Sequence, residues 1–131
     1  MTNVNDSENK TISEFISAYK NGQRKFANWN FNEDNSVEGL DLQNIHFEEC
    51  FLFLNLRNTN LANAKFITCN IKTADFRGAN MTNAIIKNCR VEGVMFKGAI
   101  TDQLVFKENY CHSTTVGQDD FETFFKETDI D

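Results

Sequence analysis

The chain has 131 residues, 40% of them hydrophobic, with 13 Phe and no Pro, and is most simply a single domain spanning 1–131. Its net charge of −6 argues against a general nucleic-acid binder, which needs a basic footprint. No apolar run approaches the ~18 residues of a membrane span.

The opening MTNVNDSENK lacks the charged and apolar regions of a signal peptide. The four Cys form no CxxC pair, so reduced thiols and a cytoplasmic location are expected. Charge is unevenly spread. Residues 1–50 carry 9 acids and 4 bases, residues 51–107 carry 3 acids and 8 bases, and residues 108–131 carry 7 acids and 1 base.

The first predicted element is a helix at 11–21. Thr11 with Glu14 makes a capping box, Ile12, Phe15, Ile16 and Tyr19 share one face, and Asn21-Gly22 ends it. Its expected role is to cap the open end of whatever core follows. Gln23 to Glu33, with Phe26, Trp29 and Phe31, is expected to begin that core irregularly.

From Leu54 to Glu108 the chain divides into units of five: LNLRN, TNLAN, AKFIT, CNIKT, ADFRG, ANMTN, AIIKN, CRVEG, VMFKG, AITDQ, LVFKE. The units NSVEG, LDLQN and IHFEE precede them, followed by CFLF, which lacks one residue. Five steps rotate a helical side chain by about 500°, so this period buries nothing on a helix. On a continuous strand an odd period alternates faces. Three extended residues followed by a two-residue corner solve the problem. The corners carry the expected types: Asn58, Asn63, Gly78, Asn83, Asn88, Gly93 and Gly98. Cys50, Cys69 and Cys89 hold the same slot in units 19 and 20 residues apart. Four sides per coil would stack them in one column. The prediction is a square solenoid of roughly three and a half coils.

Beyond the repeats, GQDDFETFFKETDID predicts a helix or tail at 118–128, with Phe121, Phe124 and Phe125 at i, i+3, i+4. ADFRG, ANMTN and TNLAN resemble the A(D/N)LXX motif of the pentapeptide-repeat family. The resemblance implies an all-β, right-handed quadrilateral β-helix over 26–112, flanked by short N- and C-terminal helices. It also implies that the C-terminal helix can pair two subunits.

Outward positions should stack in columns. The residue before each centre is polar in the earlier coils, Ile85 apart, but becomes Met95, Ile100, Val105 and Tyr110 in the last. This rim, with Phe121, Phe124 and Phe125, is expected to be covered by a second subunit in a homodimer, or by the chain's own tail. Arg57, Arg77 and Lys97, above Glu38, form a second column. It reads either as a docking stripe for an acidic partner or as a solvated face neutralised by Asp75 and the acidic ends.

Candidate chemistry is sparse. Cys50, Cys69 and Cys89 occupy the slot held elsewhere by Ala64, Ala74, Ala79, Ala84 and Ala99, and are read as small hydrophobes rather than metal ligands. Cys111-His112 lies at the solenoid's end with no ligand set around it, and His46 stands beside Glu48 and Glu49 without a nucleophile. No catalytic residue, cofactor or metal is assigned. The expected function is a non-catalytic scaffold that binds another protein through its rigid walls. One branch of the family is acidic, DNA-like and protects DNA gyrase from quinolones or toxins. That makes gyrase an alternative partner, although these repeats are net positive. An immunity or effector-associated role is a third reading. Neither a membrane nor direct nucleic-acid contact is expected.

Overall fold

The computed structural model describes residues 10–129, without the side chains of 32–34; residues 1–9 of the polar opening lie outside it. Helix α1 (Ile12–Lys20) begins at the capping box. Thr11 Oγ1 accepts from the Glu14 N–H at 3.0 Å, and the Thr11 N–H donates to Glu14 Oε1 at 2.9 Å. Phe15 on its inner face is fully buried against Phe26, Phe31 and Phe47. The helix therefore closes the lower end of the core.

The repeats wind into a four-walled solenoid. Wall A is a five-stranded parallel sheet of β1 (Lys25–Ala27), β3 (His46–Glu48), β5 (Lys65–Ile67), β6 (Ile85–Lys87) and β7 (Val105–Lys107). Phe26, Phe47, Phe66, Ile86 and Phe106 are in register on it. Five levels make about four turns, because the solenoid begins at Lys25 and so adds to the three and a half coils read from the repeats. Wall B stacks Asn30, Phe51, Asn70, Arg90 and Tyr110; wall C, Ser36, Asn55, Asp75 and Met95; wall D, Asp41, Asn60, Asn80 and Ile100.

The step between coils is 20 residues above Leu56, as Asn55↔Asp75 and Asp75↔Met95 show. At CFLF it is 19, seen in Phe51↔Asn70. Removing one residue deletes a corner there, so β4 (Phe51–Asn55) runs from wall B to wall C without turning. It pairs with the equally continuous β2 (Asn30–Ser36), whose register slips between Phe31 and Asn35. That bulge makes the first step 21 residues, as in Phe31↔Leu52.

Corners are closed by i→i+3 hydrogen bonds, such as Ala74 N–H to Ile71 O and Ala79 N–H to Phe76 O, both at 3.0 Å. Their third residue has positive φ, the requirement of a type II turn, at Asn58, Asn63, Asn83 and Gly78 among others. Gly78 has a further constraint: a Cβ there would lie 2.3 Å from Asn58 Oδ1 in the coil below. Coil-to-coil main-chain bonds do the rest. Leu61 N–H donates to Asn80 O at 2.7 Å and Asn80 N–H returns to Thr59 O at 2.9 Å.

The inward centres fill the tower. Phe66 meets Phe76, Phe76 stacks on Phe96 at 5.1 Å, and Phe96 and Phe106 meet Phe121 from the tail. Stacked aromatics thus continue into the C-terminal helix. That segment starts after the hairpin of β8 (Asn109–Cys111) and β9 (Thr114–Val116), as a helical turn α2 (Gln118–Asp120) running into a π-helix at Phe121–Phe125. Among the described residues no helix is long and apolar enough to cross a membrane.

Candidate interaction surfaces

The three column cysteines do lie on one corner, where the Cys69 N–H points at Cys89 Sγ, 3.4 Å away. They are buried in the core, as read from the sequence, and they also act as hydrogen-bond donors. This corner, following the wall A centres, lacks the i→i+3 bond seen at the others, which leaves main-chain groups to satisfy. Cys50 Sγ donates to Phe26 O at 3.1 Å, and Cys89 Sγ to Phe66 O at 3.2 Å. One coil higher the slot holds Asn109, fully buried, whose Nδ2 donates to Ile86 O and whose Oδ1 accepts the Cys89 N–H. Hydrogen bonding to both Cys50 and Cys89 raises the pKa of the Cys69 thiol strongly, and burial adds to it. Among the described residues no three His, Cys, Asp or Glu side chains are grouped to hold a metal.

The Arg57/Arg77/Lys97 column is interleaved with carboxylates. Arg57 pairs with Glu38 at 3.2 Å and faces Asp75 at 3.7 Å; Arg77 pairs with Asp75 at 2.6 Å and Asp129 at 2.7 Å; Lys97 reaches Asp129 at 3.5 Å. Burial pushes the Asp75 carboxyl up, but hydrogen bonds from Arg77, with the charges of Arg77 and Arg57, bring it below the usual carboxylate range. Wall C is therefore a self-neutralised ladder. Asp75 was readable in the sequence as a neutraliser. Asp129 was readable only as part of the acidic C-terminal end, and its pairing with Arg77 across 52 residues was not.

The tail is a lid on its own chain. Phe106 N–H donates to Gln118 Oε1 at 3.0 Å, and Lys97 N–H donates to Thr128 O at 2.9 Å. The segment thus crosses the top of the tower from wall A to wall C. Lys126 N–H bonds Phe121 O at 3.0 Å, an i→i+5 winding. Wider winding brings residues four apart into line, so Phe121 is buried and Phe125 packs on Phe106 at 5.3 Å. Phe124 swings outward and is 68% exposed. The i, i+3, i+4 stripe thus splits, because it was read with α-helical geometry.

The rim residues are not gathered into one patch. Met95, Ile100, Val105 and Tyr110 project from four different walls. Ile100 is 50% and Tyr110 42% exposed, while Met95 and Val105 are half-buried. Tyr110 reaches Asn88 through its hydroxyl at 3.3 Å.

Two features were not singled out from the sequence. Phe51 and Phe53 are exposed on the cornerless strand, and Phe53 lines a shallow groove with Thr73, Asp75 and Met95. Their exposure follows from the deletion in CFLF. A second, open cleft lies between Lys72, Arg90, Glu92, His112 and Ser113. His112 and Ser113 both have positive φ, making a type I′ turn of the β8–β9 hairpin. Burial pushes the Glu92 carboxyl up, but the His112 N–H at 2.8 Å and Arg90 at 3.5 Å bring it below the usual range. His46 Nε2 lies 3.3 Å from Glu48 Oε1.

Five-residue sides, left-handed corners and a stacked aromatic core define a quadrilateral β-solenoid. Residues 55–93 match the family described as Pentapeptide repeats in eight copies, so this stretch of the solenoid is built of pentapeptide repeats. It is similar to the structure of QnrB1, a plasmid-mediated fluoroquinolone resistance protein, at 28% identity and a TM-score of 0.54. That alignment covers 69% of this chain and 44% of QnrB1, so the chain spans less than half of that structure's length. It is also similar to alr5209, a pentapeptide repeat protein from Nostoc PCC 7120, at 16% identity and a TM-score of 0.49, over 89% and 93% of the two chains. No curated protein sequence matches the chain.

Proposed function

We propose that this protein is a non-catalytic scaffold that binds another protein through a wall of its solenoid, in a reducing cytoplasm. The observation that carries the reading is the fixed two-dimensional lattice of outward side chains. Each wall position is held by main-chain bonds to the coils above and below, as at Asn60 and Asn80. Little ordering entropy is lost when such a surface docks. The side chains on it diverge, whereas catalysis requires groups converging on one reacting atom. Immobilised protein should capture a partner that, once purified, binds saturably in a calorimetric titration. A chain that instead turns over a substrate, or no captured protein that binds when purified, contradicts the reading.

A second reading is binding of DNA gyrase with protection against fluoroquinolones, which the family resemblance implies and the similarity to a fluoroquinolone resistance protein, QnrB1, supports. A supercoiling assay with purified gyrase and a fluoroquinolone tests it. Restored supercoiling supports it, and no effect at a large molar excess removes it.

A further inference from the structure

The upper half of wall A, β5 to β7, treats its cations differently from wall C; lower on the same wall Lys25 pairs with Glu48 at 3.5 Å. On wall C every cation of the column has a carboxylate within 3.5 Å. On wall A, Lys65 and Lys107 are exposed and form no ion pair among the described residues, and Lys87 has only Glu108 at 3.9 Å. The registers of β5, β6 and β7 place six outward side chains in two rows: Lys65, Ile85, Val105 and Ile67, Lys87, Lys107. Adjacent strands are about 4.8 Å apart and the two rows about 6.7 Å. Ile67, Ile85 and Val105 form a half-buried apolar path across this grid, with Lys65 on one flank and Lys87 and Lys107 on the other.

We propose that this upper half of wall A docks an acidic protein segment. Its carboxylates would pair with the flanking lysines while its apolar side chains cover the path between them. This rests on the scaffold reading and names the wall and the partner's chemistry. Charge complementarity selects the occupant: two cations without an ion pair, and a third whose carboxylate, Glu108, stands 3.9 Å away, call for an anionic partner. The aliphatic centre selects protein over nucleic acid, whose phosphates would leave it uncovered. Ile67, Ile85 and Val105 are half-buried and none is among the exposed large apolar side chains, the kind that enters a bilayer.

A fluorescent twelve-residue peptide alternating Glu and Leu is the probe, with a Lys-for-Glu version as its control. The acidic peptide should bind saturably, weaken as salt is raised, and shift the amide resonances of β5, β6 and β7. Lys65→Glu/Lys107→Glu should weaken it by about tenfold. Lys20→Glu/Lys72→Glu, which makes the same charge change away from wall A, should leave it within about twofold. Ile85→Asp gives an independent test of the apolar path, and amide spectra establish that each variant is folded.

No saturable binding, equal binding of the Lys peptide, or equal loss in both double variants overturns the proposal. So does preferential binding to phosphatidylglycerol vesicles, or self-association that the wall A variants abolish. Binding of a purified partner that survives the wall A variants would sink this proposal while leaving the scaffold reading intact.

Discussion

The Cys89 N–H donates to Asn109 Oδ1 at 2.9 Å, one coil above it and twenty residues further along the chain. Asn109 uses its other end on Ile86 O at 3.0 Å, so one buried side chain satisfies two main-chain groups at a corner that cannot satisfy them itself.

Asn109→Ala should therefore cost about 2–4 kcal/mol, the desolvation penalty of two orphaned polar groups. Asn109→Cys, which restores the residue used in the coils below, should lose clearly less. Urea denaturation of the three proteins checks the order.

The thiols give a second prediction. Cys50, Cys69 and Cys89 are buried and hydrogen-bonded, whereas Cys111 is half-buried. Ellman's reagent at neutral pH should modify one thiol per native chain and all four in denaturant. Burial raises the Cys111 pKa, so its reaction should be slow and should quicken with rising pH.

These two cases show what the sequence could carry. The five-residue period made the four walls, the corners and the cysteine column legible, since each follows from counting. It did not show that the thiols serve as donors, because that depends on a corner missing its own hydrogen bond. The 21-residue first step was hidden, since residues 32–34 fit no repeat unit. The lid was half legible: the aromatic helix was readable, but its π-winding and the reach of Asp129 to Arg77 are set by tertiary fit. The apolar path on wall A was readable only as separate residues until register brought β5, β6 and β7 together.

The lid itself can be tested. Phe121→Ala removes a fully buried ring lying 5.1 Å from Phe96 and 5.2 Å from Phe106, and should cost about 3–5 kcal/mol. Phe124→Ser should stay within about 0.5 kcal/mol in a monomer. If a second subunit covers Phe124, light scattering of the wild type will show a dimer that Phe124→Ser dissociates.

His46 predicts a pH dependence. Burial, the largest effect, holds its imidazole below the ordinary value of 6.5; Glu48 opposes this, while Lys25 and Lys65 reinforce it. The unfolded chain therefore binds a proton that the folded one resists. Stability should be fully present above pH 6.5 and decline as pH falls through the lower folded value. His46→Gln should flatten that part of a melting-temperature profile. An unchanged slope would show that another group titrates there.

Every wall assignment depends on which residues lie one coil apart. Nuclear Overhauser contacts between backbone protons across successive coils measure this directly. The account predicts contacts between Phe66 and Ile86 and between Ile86 and Phe106, at steps of 20, with 19 between Phe47 and Phe66 and 21 between Phe26 and Phe47. A constant step of about fifteen, the spacing of a three-sided coil, would contradict it and dissolve the wall on which the docking site is drawn.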